Sequence, residues 1–254
     1  MTVGLVVPCF NEAERWSAPY WAEILQITDL HLLFVDDGSS DATRALAEEA
    51  VAGTTSQVIS LPANAGKAEA VRAGMQRLLA SHSDTEAETF TAVGYLDADG
   101  AFNREDIEDL IEAYRHKVLT EDFQAAWSSR VALAGRDIAR SGSRHYIGRL
   151  VATFVSLGYG QIPYDTQSGY KLFQPSERLE ACLAEPFRTR WLFELELLAR
   201  WRALFGSALR VWEEPLQYWH DVPGSKINGR ESMRVMKELI AVKREQRKPR
   251  STRL

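Results

Sequence analysis

Short apolar runs alternate with helical patterns through the first half of the chain. The runs are VGLVVP (3–8), HLLFVD (31–36), QVISL (57–61) and FTAVGYLD (90–97), and the stretches near 18–27, 42–51, 67–79 and 105–117 carry apolar residues at helical spacing. Strand-like runs separated by helices mark βαβ units, so the expected fold class is α/β, a Rossmann-like and mostly parallel central sheet flanked by helices. Ser40 or Asp41 is expected to cap the second helix and Asn103 the fourth, because short polar side chains accept from free first-turn amides. In an open α/β sheet, ligands bind beyond the carboxyl ends of the strands. Residues 8–12, 36–41, 63–67 and 97–101 all fall at those ends.

The second half is less regular. It offers a strand at AAWSSR (125–130), a stretch rich in Gly and Arg, a strand at YKLFQ (170–174), a helix over 191–204 and a final strand, LRVWEEPLQYW (209–219), leading into HDVPGSKING. The end of the sequence reads as an amphipathic helix and basic tail over 230–254. Such tails are ordinarily solvated, and contact with a membrane surface is favoured only for a lipidic substrate. At 254 residues the chain is long enough to bury a sizeable core, and its 45% hydrophobic and 26% charged residues exclude a disordered class. A net charge of -5 argues against a broad nucleic-acid surface. No apolar stretch reaches the roughly 18 residues of a membrane span. The opening MTVGLVVPCFNE lacks the basic region of a signal peptide and reads as a buried first strand. Cys9 and Cys182 show no paired spacing, so reduced thiols and a cytoplasmic location are expected.

Four strand-end segments carry chemistry. VDDGSSDAT (35–43) places Asp36 and Asp37 before a glycine turn, where they either cap a turn or supply a carboxylate to a nucleobase or ribose. NAGKAEAVRAG (64–74) sets Gly66 and Lys67 at a helix start, where free amides and an ammonium favour a diphosphate, although the P-loop spacing is absent. In LDADGA (96–101), Asp97 and Asp99 either end a strand or turn together toward one hard cation, Mg2+ or Mn2+. PCFNE (8–12) ends the first strand. In this order, a base-binding acid, a phosphate-binding lysine and a metal-binding acid pair describe a nucleotide-diphosphate site.

With SSR (128–130), DTQSGYKLF (165–173), RWLFELELL (190–198) and GSK (224–226), these segments resemble the family 2 glycosyltransferases of GT-A fold, especially the dolichyl-phosphate glucosyltransferase and polyprenyl-phosphate mannosyltransferase branch. The resemblance implies a GT-A domain over 1–229, with a nucleotide-sugar-binding half at 1–120 and an acceptor-binding half at 121–229. It implies donor contacts from Pro8, Phe10, Glu12, Asp37, Lys67, Asp97, Asp99 and Lys226, with Asp99 the better metal ligand. Arg130 falls where a guanidinium holds a phosphate, Asp165 opens a segment bordering sugar and acceptor, and Glu194 matches an acidic position suited to a general base.

The implied activity is metal-dependent, inverting transfer of a hexose, with glucose favoured, from a nucleotide diphosphate sugar. UDP-glucose is the favoured donor and GDP-mannose the other, and the acceptor is a phosphate or hydroxyl on a polyprenyl phosphate or a glycan. Ala101 departs from relatives that place a metal-ligating Gln there, so a third ligand must come from elsewhere, and His220 is the candidate. The membrane-bound relatives carry spans that this chain lacks, which leaves peripheral contact at the inner face of the membrane. Glu194 and Glu196 are two apart on one helix, so at most one faces a cleft, while Trp191, Phe193 and Leu197 read as core. His82, His116 and His145 show no ligand spacing. The rivals are a haloacid-dehalogenase-type phosphatase, a sugar nucleotidyltransferase, and a catalytically silent sugar-nucleotide-binding module partnering a membrane protein. The first would set its Asp-x-Asp near the chain start, the second needs a Gly-rich turn after strand one, and the intact Asp pair argues against the third.

Overall fold

A computed structural model describes residues 1–80, 89–139, 163–190 and 192–220. The first half runs β1 (Val3–Cys9), a 3-10 turn (Ala13–Arg15), α1 (Ala18–Ile24), β2 (Leu30–Asp36), α2 (Thr43–Val51), β3 (Gln57–Ser60), α3 (Lys67–Ala80), β4 (Ala92–Leu96) and α4 (Arg104–Lys117). The second half adds β5 (Ala125–Ser129), β6 (Asp137–Ala139), β7 (Tyr170–Phe173), α5 (Glu177–Leu183), α6 (Phe193–Phe205), β8 (Val211–Pro215) and β9 (Tyr218–His220).

One sheet takes the order β3-β2-β1-β4-β7-β5-β8, and β6 pairs with β9 in a small separate one. The large sheet is parallel except at β7, which runs against both β4 and β5. Alternation along the strands sorts side chains onto its two faces. Val3, Leu5, Val7, Leu32 and Phe34 pack with Trp21, Ile24, Ile107 and Tyr114. Val6, Leu33, Val35, Val93 and Tyr95 meet α3, α5 and α6 through Val71, Met75, Cys182 and Leu195. Both cysteines are buried as free thiols.

The expected fold class holds, with local corrections. Asn103 caps α4 by accepting from the Asp106 amide at 2.7 Å. Neither Ser40 nor Asp41 caps α2, whose N-cap is Ala42. Asp41 lies one residue too early and instead accepts from the Thr43 amide at 3.0 Å and the Ala13 amide at 3.1 Å, tying two loops together. The single final strand expected over 209–219 is two strands in different sheets, because the chain leaves the large sheet after Pro215. Helix α5 was not legible beforehand, although Ser176 caps it by accepting from Leu179. The Trp191 side chain, His82, His145, Lys226 with its GSK segment, and the 230–254 tail lie outside the described residues. Within the described residues no helix is long and apolar enough to cross a membrane.

Candidate functional site

Parallel β1, β2 and β4 deliver their carboxyl ends to one edge of the sheet. Because β7 is reversed, its amino-terminal approach, residues 165–169, comes to the same edge, beside the ends of β4 and β5. Strand direction therefore gathers residues from both halves.

The first three strand-end loops are tied to one another by short polar side chains. Asn11, at φ 52, donates its amide to Ser39 Oγ at 3.0 Å and accepts from the Ser40 amide at 2.9 Å. Asp36 accepts from the Ser39 amide at 3.1 Å. Asp37, 2% exposed, spends both carboxylate oxygens on the 63–66 loop, accepting from the Ala65 amide at 2.8 Å and the Gly66 amide at 2.7 Å. These two bonds set the turn that launches α3. Gly66 sits at φ 97 with the Arg190 guanidinium against it, so a side chain there would meet both strain and collision. Pro8 is half-buried within β1, and Phe10 beyond it is exposed.

Lys67 opens α3 and meets Asp97 Oδ1 at 2.6 Å. Burial works against its charge, but Asp97, Glu194 and Asp99 outweigh it and hold the ammonium above the ordinary lysine range. Burial, then the neighbouring Asp97 charge, raises the Asp99 carboxyl above its ordinary range, against the Ala101 amide, Lys67 and Arg15. That amide donates to Asp99 at 3.2 Å. Glu12 is raised too, by burial first, with Arg15 opposing and Asp99 and Asp97 reinforcing. Arg15 holds one Glu12 oxygen at 2.6 Å, while Glu12 Oε2 and Tyr20 Oη are sealed from solvent without a hydrogen-bond partner. Close carboxylates with raised affinity for protons and an orphaned carboxylate oxygen nearby fit a hard divalent cation.

His220 is not brought into a metal-holding group with the aspartates. Its Nε2 lies 3.3 Å from Asp137 Oδ1 and its ring stacks on Tyr218. Within the described residues no three His, Cys, Asp or Glu side chains form a metal cage. His116 pairs with Glu112 on the exposed face of α4.

From the second half, Arg130 and Asp165 form a bidentate pair at 2.7 and 2.8 Å, and the Arg130 amide adds a third donor at 3.0 Å. The guanidinium also lies 5.0 Å from the Trp219 ring centroid. The Asp165 amide in turn donates to Glu213 at 2.9 Å. Asp165 is thus an orienting partner for Arg130 in this arrangement, and taking a proton would require breaking the pair. Gly169 completes the edge: its carbonyl accepts from the Asp97 amide at 2.9 Å, and a Cβ there would stand 2.3 Å from Asp97 Oδ2.

Glu194 and Glu196 diverge as their spacing requires. Glu196 turns to the 185–190 loop, accepting from the Arg188 and Thr189 amides and pairing with Arg200 at 2.7 Å. Glu194 turns to the sheet, where the Tyr95 hydroxyl donates to it at 2.6 Å and Gln167 Nε2 at 3.2 Å. Three residues of this cluster, Gln167, Tyr95 and Lys171, escaped the sequence reading. Lys171, fully buried on β7, donates to Tyr95 Oη at 2.9 Å and to the Ser168 carbonyl, and lies 3.7 Å from Glu194. Burial draws its amine down to about 8, with Glu194 opposing. Burial, then Glu194, pushes the Tyr95 hydroxyl well up. The available signal was a lysine and a tyrosine inside otherwise apolar strand runs, YKLF and AVGYL. Phe193 and Leu197 are core, as expected.

Residues 5–120 match the sequence profile described as Glycosyl transferase family 2. None of the curated proteins matches this sequence significantly. The fold is shared with solved structures of glucosyl-3-phosphoglycerate synthase from Mycobacterium tuberculosis. The complex with Mn2+, UDP and phosphoglyceric acid has a TM-score of 0.63 at 20% identity over 98% of this chain and 80% of that one. The complex with Mn2+, UDP-glucose and phosphoglyceric acid has a TM-score of 0.61 at 19% identity over 95% and 79%. A further mycobacterial protein matches with a TM-score of 0.65 at 20% identity over 95% and 74%. The mostly parallel, helix-flanked sheet is the α/β architecture expected of a GT-A chain.

Proposed function

We propose that this chain, whose residues 5–120 carry the Glycosyl transferase family 2 pattern, is a metal-dependent glycosyltransferase that moves glucose from UDP-glucose to a phosphate acceptor with inversion. The observation that carries the reading is the meeting at one sheet edge of the Lys67–Asp97 pair and Asp99 with the Arg130–Asp165 pair. The structural neighbours that bind UDP-glucose, Mn2+ and phosphoglyceric acid support the donor, the metal and an acceptor that bears a phosphate.

In this reading Pro8, Phe10, Glu12 and the loop set by Asp37 build the base and ribose side. Asp97 and Asp99 hold Mg2+ or Mn2+, whose charge, when bound, stabilises the departing diphosphate. Lys67 exchanges its contact with Asp97 for one with the diphosphate, and Lys226 adds a second ammonium there. Arg130, oriented by Asp165 and Trp219, faces the acceptor's phosphate. An anionic phosphate oxygen needs no base to attack. That suits a site where both Asp165 oxygens are engaged by Arg130, and both Glu194 oxygens by Tyr95 and Gln167. A lipid phosphate of the dolichyl type, approached by a chain peripheral to a membrane, is the finer form of the same acceptor chemistry.

The test is thermal stabilisation across nucleotide sugars with Mn2+, followed by transfer to phosphoglycerate and polyprenyl phosphate and by the anomeric configuration of the product. UDP-glucose is expected to stabilise most and a β-linked product to form. Binding without turnover on either acceptor would favour the silent module instead.

A further inference from the structure

We propose that Gln167 is a specificity-determining residue whose side-chain carbonyl oxygen accepts a hydrogen bond from a hydroxyl of the transferred hexose. The assignment rests on the glycosyltransferase reading above.

Gln167 Nε2 stands 3.2 Å from Glu194 Oε2 and 3.4 Å from the Thr166 carbonyl oxygen. A carboxylate and a backbone carbonyl only accept, so the NH2 end of the amide must meet them. The oxygen at the other corner of the planar amide is turned away from Glu194. Gln167 is half-buried, and its hydrogen bonds among the described residues all run through Nε2, which leaves the amide oxygen as the group to present.

Glu194 cannot readily follow a rotating amide. Its other oxygen receives the Tyr95 hydroxyl at 2.6 Å, and that hydroxyl accepts from Lys171 at 2.9 Å. Lys171 is itself tied to the Ser168 carbonyl, next to Gln167 in the chain. The relay from Lys171 through Tyr95 to Glu194 is anchored on β7, β4 and α6 at under 4% exposure for each member. A fully partnered buried network of this kind holds one geometry. It presents an acceptor, and not a donor, at position 167.

Placement identifies what that acceptor meets. Gln167 lies two residues after Asp165, the partner of Arg130, and two before Gly169, which abuts Asp97. The transferred sugar must touch the leaving diphosphate on one side and the attacking acceptor on the other. The turn spanning the Arg130 side and the Asp97 side therefore borders the hexose, whose hydroxyls are donors suited to an amide oxygen.

The experiment measures dissociation constants of the full chain with Mn2+ for UDP, UDP-glucose and its monodeoxyglucose analogues. Wild type is expected to lose about 5- to 10-fold in affinity for one deoxy analogue, the effect of one neutral hydrogen bond. In Gln167→Ala, and in the isosteric Gln167→Met, that penalty should vanish while affinity for UDP stays unchanged, which also certifies the fold. Equal penalties in wild type and variants, or a wild type indifferent to every hydroxyl, would overturn the assignment and leave the donor-site reading standing. Failure of wild type to bind UDP or any UDP-sugar would overturn both.

Discussion

The two halves of the molecule bring polar residues to the same sheet edge by different means. In the first half, each contribution follows a parallel strand directly, and the loops are held by backbone amides: Asp37 on Ala65 and Gly66, Asn11 on Ser40, Asp99 on Ala101. In the second half, residues 165–171 come from the amino end of a reversed strand, and polar side chains from different elements hold one another, as in Arg130–Asp165 and Lys171–Tyr95–Glu194. Loops clasped by amides hold the Glu12, Asp97 and Asp99 carboxylates near one another, each with one partner. A network of matched side chains instead orients each group and leaves little unmatched charge.

The contrast breaks most sharply at Asp99. Replacing it with Ala should lower transfer by at least about 100-fold, with the fold intact by circular dichroism, because the carboxylate proposed to hold the metal would be lost while the network in the other half is untouched. A rate equal to wild type would remove the donor half from the chemistry. Gly169→Ala tests the seam between the halves. Its Cβ would stand 2.3 Å from Asp97 Oδ2, so urea denaturation should show a loss of about 1–3 kcal/mol, accompanied by weaker stabilisation by Mn2+.

Lys171→Met sharpens the second half through pH. An unfolded lysine titrates near about 10.4, whereas burial brings the folded amine to about 8. Between those values the unfolded chain holds the extra proton, so this group makes stability rise with pH across the window. The stability difference between wild type and Lys171→Met, followed by denaturant titration, should therefore shift in favour of wild type from pH about 8 to about 10.4. A difference that stays flat would show that Lys171 does not titrate there. The smallest effect is expected from Asp99→Asn without metal. Burial and Asp97 disfavour the ionised form, so the neutral isostere should show a slightly raised Tm while losing stabilisation by Mn2+.

The placement of the first half's polar segments was legible because they interrupt apolar runs at strand ends, where topology alone sends them to one edge. The Asn103 cap was legible for a similar reason: helix starts leave amides that only nearby side chains can reach. The reversal of β7 was not legible, since YKLF reads as a strand in either direction. Lys171 was passed over because a lysine in a strand is ordinarily on a solvent face, and here that face is covered by α6. His220 looked available as a metal ligand, but its place on β9 sets it against Asp137.

By itself, the sequence determined the alternation that makes the sheet, the order of the strand-end segments and the inability of Ala101 to ligate a cation. These depend on residue type and on periods of a few residues, which are local properties. Only the tertiary structure decided that Glu194 and not Glu196 faces the sheet edge, that Asp165 is spent on Arg130, and that Gln167 meets a Glu194 whose other oxygen is held by the Tyr95 hydroxyl. Each of those depends on which elements, distant in the chain, cover a given face. A period names a face, but only packing supplies its neighbour.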